Sequence, residues 1–404
     1  MNPLRLLPAY FVVFDGFVGY SMMVAIFAPM CLNGYGTLVP ATMSIAAKSL
    51  LLGVVLCMYP LGQFLSSPVI GALSDKYGRR PLLIVSLALS VLSYAGVAAA
   101  IQFQKLPLMI IMLVAAGLTE GNIVIAQSTI SDISDATNRG RYFGYINLSG
   151  ALAFVVGPLV GGKLASPSVV SWFTYATPFW VMLIPLSLTL AGVIAFFPET
   201  LKPGSTAPIC WSKALTNLSA VFHPGPLRVI YIGNFACYLG IFGFFRCYPM
   251  FLVDEFHMTV SRVSLYIAWE AVPVIIGTMG LTGYLMSKYS AQKITIWSAV
   301  MTAVAMFIIV LPKSPYYLWG TLFLVGLPLS VCLTACATML SVAASAEEQG
   351  SVMGNNQALQ VFAEASSSII GGAIAAILIT ASIPSMGFFL LIGAAILLLA
   401  KKSS

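Results

Sequence analysis

Five ionisable side chains interrupt long apolar stretches of this chain: Asp15, Glu120, Arg246, Glu270 and Glu364. A charge at the centre of a bilayer costs at least about 2.5 to 3.5 kcal/mol on insertion scales, so a group kept there marks an ion path or a ligand site. Asp15 lies some seven residues from one end of the first stretch and Glu120 some ten from the matching end of the fourth. At about 1.5 Å of rise per residue the two sit at similar depth. Two carboxylates in one low-dielectric space compete for a proton, which is the behaviour a proton carrier needs. Glu120 is therefore the first choice for protonation, with Asp15 as its companion and Glu364 as a second site later in the chain. The structural alternative for Glu120 is a neutral carboxyl hydrogen-bonded to Asn122 or Gln127. Arg246 and Glu270 fall at matched depth in neighbouring stretches and read as an ion pair, either purely structural or receiving an anionic substrate group at Arg246. Tyr20, Asn147, Asn234, Tyr238, Trp269 and Gln357 are the polar and aromatic residues that complete the candidate substrate site.

These residues need a solvent other than water around them. Of 404 residues only 8% are charged and 59% are hydrophobic, against about 25% charged in soluble domains. A β-barrel alternates polar and apolar residues, whereas runs such as 82–101 are unbroken. Helices of about 20 residues are the alternative. Punctuation by Gly, Pro and charge gives spans at 8–32, 49–72, 81–101, 107–130, 141–163 and 175–197, then 228–252, 263–286, 294–312, 316–342, 352–378 and 385–400. The first is too long for a signal-peptide core and reads as a retained helix. The expected organisation is an all-α membrane protein with a six-helix bundle at 1–200, a cytoplasmic linker at 201–227 carrying a short interfacial helix around 211–222, and a second bundle at 228–404. Thirteen Lys and Arg fall in alternate loops against five in the others, which places both termini in the cytoplasm.

Several chemistries are excluded. The net charge of +7 is spread over loops rather than gathered on one face, so nucleic acid is not expected. Seven cysteines include no CxxC and no Cys/His cluster at ligand spacing, so neither a disulfide framework nor a metal site is expected. His223 and His257 fall in loops, and the glycosylation-like triplets at Asn147 and Asn217 fall in a helix and on the inner side. There is no GxxxxGK[ST], HExxH or GxSxG, which argues against a nucleotide-powered machine or an enzyme.

An internal repeat supports two equivalent halves. Gly71-Ala-Leu-Ser-Asp-Lys-Tyr77 recurs weakly as Gly283-Tyr-Leu-Met-Ser-Lys-Tyr289 at an offset of 212, and Gly140, Gly144, Gly161 and Gly162 recur as Gly350, Gly354, Gly371 and Gly372 at an offset of 210. Parallel six-helix repeats carry substrate sites between the halves near the midplane.

The run Gly71-Ala-Leu-Ser-Asp75-Lys-Tyr-Gly78-Arg79-Arg80-Pro-Leu-Leu83 resembles the loop signature of the major facilitator superfamily at every defining position. Gly150-Ala-Leu-Ala-Phe-Val-Val-Gly157-Pro158-Leu-Val-Gly161-Gly162 is similar to the fifth-helix motif of its 12-helix drug-proton antiporter branch, and Phe197-Pro-Glu-Thr-Leu201 and Arg139-Gly-Arg-Tyr-Phe-Gly144 also fit. That resemblance implies two pseudo-symmetric six-helix bundles, with the first, fourth, seventh and tenth helices lining a cavity. It also implies gating by Gly71, Asp75, Gly78, Arg79, Arg80, Asp132, Arg139, Gly157 and Pro158. Gly78 permits a tight turn. Asp75 would accept from the amides opening the eleventh helix near Val352, and Arg79 would pair with Asp132, so the halves would be bridged on the cytoplasmic side. Pro158 would kink the fifth helix. One departure stands out: the antiporter branch has an Arg four residues before a Gly in the fourth helix, and here Leu113 precedes Gly117.

The expected activity is proton-coupled secondary transport of small organic molecules by alternating access. Antiport export of drugs or metabolites leads, and proton symport of a nutrient or siderophore-like solute is the alternative. The expected partners are the solute, protons and the lipid bilayer, with the proton gradient in place of any cofactor. A monomer in a bacterial inner membrane is the expected setting.

Overall fold

The described residues contain twelve helices long and apolar enough to cross a membrane. The computed structural model describes residues 7–134, 139–201, 227–344 and 349–399. The first six helices are α1 (Leu7–Asn33), α2 (Ile45–Tyr77), α3 (Arg79–Gln102), α4 (Leu106–Ile133), α5 (Arg139–Leu164) and α6 (Thr177–Phe196). The second six are α7 (Arg228–Phe256), α8 (Val260–Met286), α9 (Ala291–Ile309), α10 (Pro315–Ala343), α11 (Gln349–Ile377) and α12 (Ile379–Leu399). The described residues contain no strand, only one isolated bridge between Tyr35 and Val39. The proposed interfacial helix at 211–222, His223, Asn217 and most of the linker lie outside the described residues.

The helices start and stop for local reasons. Ser44 caps α2, its hydroxyl accepting from the Ala47 amide at 3.2 Å, and His257 ends α7 in a left-handed conformation. Two boundaries differ from expectation. Gly71–Tyr77 is not a loop: α2 stays helical to Tyr77, and the whole turn into α3 is made by Gly78 at φ 103°. Lys48, expected outside the membrane segment, sits buried in the first turn of α2, where its ammonium donates to the Leu32 carbonyl at 3.2 Å. A cation can be placed there because the carbonyls ending α1 lack intrahelical partners.

The halves share one packing pattern. In the first, α1 lies on α5, α3 on α6 and α4, and α2 on α4; in the second, α7 lies on α11, α9 on α12 and α10, and α8 on α10. Between halves the largest contacts are α2 with α11, α5 with α8, and α1 with α7. Exchanging the halves maps the first two of these contacts onto each other, as a pseudo-two-fold axis requires.

An even number of crossings puts the start of α1 and the end of α12 on one face, the terminal face. The halves are seamed at the opposite, distal face. A Cβ on Gly53 would come within 2.7 Å of the Ser368 carbonyl oxygen, and one on Gly372 within 2.8 Å of the Ser49 carbonyl oxygen, so α2 and α11 meet backbone to backbone. On the other side Ser261 Oγ donates to the Gly162 carbonyl at 3.1 Å, joining α8 to α5. Gln127, Asn147 and Gln357 are exposed about two turns inside the terminal-face ends of their helices. Lipid offers no partner to an amide, so these three mark a wet cleft that opens toward the terminal face.

Candidate functional site

The first half builds a buried acidic site where α4 breaks. At Glu120 and Gly121 the hydrogen bonds shorten from the i−4 to the i−3 carbonyl: Glu120 N to Gly117 O, Ile123 N to Glu120 O and Val124 N to Gly121 O, each 3.1 Å. A tightened turn inside a long helix is a frequent mark of a functional hinge, and here it turns Glu120 inward, 4% exposed. Room for it comes from α1. A Cβ on Gly16 would collide with the Glu120 carboxylate, and one on Gly19 with the Tyr94 hydroxyl. Asp15, the neighbour of Gly16, is 1% exposed, and its carboxylate accepts from the Thr189 hydroxyl of α6 at 2.6 Å. The hydroxyls of Tyr59 and Tyr94 flank Glu120, and among the described residues neither has a partner at full hydrogen-bonding geometry. The structure thus brings together Asp15 and Glu120, which are electrostatically coupled. Neither Asn122, whose side-chain oxygen is unpartnered, nor the exposed Gln127 serves Glu120 as the sequence alternative required.

The second half corrects one pairing. Arg246 is bound not to Glu270 but to Glu364 of α11, Nη2 to Oε1 at 2.7 Å. The reason is topological: α7 and α8 are consecutive in the chain, yet α7 packs broadly on α11 and α12 and only slightly on α8. Glu270 is buried beside Tyr248 with its Oε1 unpartnered, as is the Tyr248 hydroxyl. Arg246 is 1% exposed, with its Nε–H unused and its guanidinium 4.9 Å from the ring of Tyr20 across the interface, within cation–π range. Tyr20 packs in turn on Tyr59 with ring centroids 5.3 Å apart. The sequence Glu120, Tyr59, Tyr20, Arg246, Glu364 therefore runs as one chain of contacts from the acid of the first half to that of the second. A narrow cavity lies along it, lined by Tyr20, Tyr59, Arg246 and apolar residues including Leu113.

Other predicted site residues lie elsewhere. Asn234 donates to the Cys336 carbonyl at 2.9 Å, Tyr238 to Asn356 Oδ1 at 2.8 Å and Trp269 to the Trp319 carbonyl at 2.9 Å. All three tie helices together within the second half. Asn147 and Gln357 are exposed. The sequence also missed a cluster: Cys237 of α7 and Cys332 and Cys336 of α10 are fully buried with their sulfurs all within 4.8 Å of one another. The i, i+4 spacing of the latter two puts both on one helix face, but their partner on α7 is too distant in sequence to be seen.

At the terminal face the loop signature is knit together. Arg79 binds Asp75 at 2.7 Å and Asp132 at 3.1 Å, while Arg80 Nη2 donates to the Ile194 carbonyl at 2.6 Å. The backbone amides of Arg79 and Arg80 donate to the two carboxylate oxygens of Glu199 at 3.0 and 3.1 Å. Glu199 thus caps α3, a role its sequence gave no sign of. Burial works against ionisation of Glu199, but backbone donors from Leu201, Arg79, Arg80 and Thr200 outweigh it and hold the carboxyl below its usual range. Among the described residues Asp75 does not make the expected bridge to α11: it is held by Arg79, and the Val352 carbonyl accepts from Tyr231 at 3.4 Å. The bonds given for the motif all stay in the first half. Gly71 has only an ordinary contact with Val124, at 3.6 Å. Gly157 lets α5 press on Ser21 and Val18 of α1, and Pro158 lies inside α5. The side chain of Arg139 lies outside the described residues.

A family model described as Major Facilitator Superfamily matches residues 21–245 and 230–403. The chain belongs to the major facilitator superfamily. It is 28% identical over 340 residues to the major facilitator superfamily domain-containing protein 10 of Bos taurus, covering 78% of this chain and 70% of that one. It is 26% identical over 312 residues to the class G tetracycline resistance protein of Vibrio anguillarum, covering 75% of each. The 35% identity to the class H tetracycline resistance protein of Pasteurella multocida spans about a third of that protein, 35% of its length. Among solved structures, the human organic anion transporter MFSD10 superposes with a TM-score of 0.71 at 17% identity, covering 98% of this chain and all of that one. A bacterial homologue of the human lysosomal transporter Spinster, in an inward-facing and occupied conformation, gives 0.80 at 14% identity, covering 100% and 98%. The chain is accordingly an integral multi-pass membrane protein, and its family and fold are those of transporters.

Proposed function

We propose that this superfamily member is a proton-coupled exporter of small organic anions, with Glu120 and Asp15 carrying the proton and Arg246 receiving the anionic group. The carrying observation is the contact chain Glu120–Tyr59–Tyr20–Arg246–Glu364, which links an acid site in one half to a buried cation with a free N–H in the other. A substrate carboxylate would compete with Glu364 for the guanidinium, and the freed Glu364 would then accept a proton. The organic anion transporter among the structural neighbours and the tetracycline resistance relatives support an anionic or amphiphilic cargo and the export direction. The Lys and Arg bias favours a cytoplasmic terminal face, and on that reading this conformation is inward-open.

One observation favours a second reading, proton symport into the cell. Leu113, fully buried in the wall of the central cavity, occupies the place where the antiporter branch has its Arg. Proteoliposomes separate the two readings. Loaded with a fluorescent organic anion and given a proton gradient, antiport moves the anion opposite to the protons and symport moves both together. Glu120→Gln should abolish gradient-driven flux while retaining exchange of labelled for unlabelled anion; undiminished driven flux in that variant removes Glu120 from the mechanism.

A further inference from the structure

We propose that Cys237, Cys332 and Cys336 form a three-thiol receptor for a trivalent thiophilic ion, with arsenite the natural probe. The three sulfurs lie within 4.8 Å of one another in the core of the second half. With a bond to sulfur of about 2.3 Å, a pyramidal trivalent ion with angles of about 95° needs its sulfurs about 3.4 Å apart, so rotamer changes that draw the three thiols inward complete the site. The register is held independently: Asn234, one turn before Cys237 on α7, donates to the Cys336 carbonyl at 2.9 Å and fixes α7 against α10. All three cysteines are 0% exposed, so no water competes for the ion once it is bound.

Charge selects the ion. Soft thiolates favour thiophilic metals in general, but in this dry core an uncompensated charge is heavily penalised. The two cations on α7, Arg228 and Arg246, each lie nine residues from Cys237, about 13 Å away along the helix; Arg228 is exposed at the end of the helix and Arg246 is already paired with Glu364. Three thiolates leave a net charge of −2 around Cu⁺ and −1 around Zn²⁺, whereas a trivalent ion leaves none. Arsenous acid is itself uncharged and can enter without stripping an ion of water. Each As–OH bond is replaced by an As–S bond, the three thiol protons leave with the three hydroxyls as water, and no oxidant or reductant takes part. The bound arsenic cross-links α7 to α10.

The test uses the purified full-length protein in detergent, incubated with arsenite and desalted. One arsenic per chain is expected, with X-ray absorption showing three sulfur neighbours and a raised unfolding temperature, as binding to the native state requires. Cys237→Ala, Cys332→Ala and Cys336→Ala should each weaken binding at least tenfold and abolish the thermal shift, while Cys31→Ala, Cys57→Ala and Cys247→Ala leave both unchanged. Absence of arsenic from the wild type, fewer than three sulfur neighbours, or binding indifferent to the triad overturns the proposal. Preferential retention of Zn²⁺ or Cu⁺ over arsenite overturns the charge argument. If the alanine variants do not fold, the sulfur count on the wild type still decides.

Discussion

Arg246 and Glu270 are both buried charges, but only one has a partner, and their substitutions should therefore differ in sign. Glu364→Gln leaves Arg246 without its 2.7 Å counter-ion and should destabilise the protein by about 3 kcal/mol, the cost of orphaning one partner of a buried pair. Glu270→Gln replaces a carboxylate whose Oε1 is unpartnered and should leave the unfolding temperature unchanged or higher. Thermal unfolding of the two purified variants checks both, and equal losses would mean that Glu270 is stabilised by a partner after all. At the terminal face Glu199 gives a pH-dependent counterpart. Its carboxyl titrates lower in the folded protein than in the unfolded chain, so its contribution is complete above the unfolded value of about 4.3. It is lost as pH falls through the lower folded value. Glu199→Gln should thus be less stable than wild type at pH 7 and converge on it near pH 3; a gap that persists at pH 3 would mean the capping does not depend on charge. Of these residues the sequence revealed the charges, because a charge among apolar residues is conspicuous. It concealed the pairing, because chain order places α8 next to α7 whereas packing places α11 there.

The elements were legible wherever hydropathy decides and illegible where backbone geometry does. Twelve apolar runs gave twelve helices, but neither the tightened turn at Glu120 nor the continuation of α2 through Gly71 to Tyr77 leaves a mark in hydropathy. Both follow from single positions. Gly78 has φ 103°, and a Cβ there would also come within 2.6 Å of Glu199 Oε2, so the α2–α3 turn accepts no other residue without strain. Gly78→Ala should cost about 1 to 3 kcal/mol, the range for a residue forced into such backbone. It should also loosen the Glu199 cap, seen as faster hydrogen exchange at the Arg79 and Arg80 amides. Exchange at those two amides equal to wild type would show that the turn tolerates a side chain. The glycines at 16 and 19 carry an analogous signal on α1, spaced to face Glu120 and Tyr94, but a glycine pair in a membrane helix more often marks packing, and nothing in the sequence says which side chain fills the gap.

The molecule as a whole is two bundles hinged on a distal seam, and its state depends on that seam. Gly53 and Gly372 meet backbone to backbone between α2 and α11, and Gly162 faces Ser264 between α5 and α8. The repeat of Gly161 and Gly162 as Gly371 and Gly372 showed the pseudo-symmetry in advance, though not that Gly162 and Gly372 lie where the halves touch while Gly161 and Gly371 face α1 and α7 of their own halves. If each half moves as a rigid body, a wedge in one seam must open the other. Gly372→Leu has no room beside the Ser49 carbonyl, and overpacking of this kind costs about 1 to 3 kcal/mol. Borne only by the distal-closed state, about 1.4 kcal/mol moves the balance between states tenfold. Ser264, 1% exposed on the opposite seam, reports it. In a Cys210→Ser background whose other cysteines are buried, Ser264→Cys should react with an impermeant maleimide about tenfold faster when Gly372→Leu is added. Unchanged labelling at position 264 would mean that the seams open independently and that the halves do not rock as units.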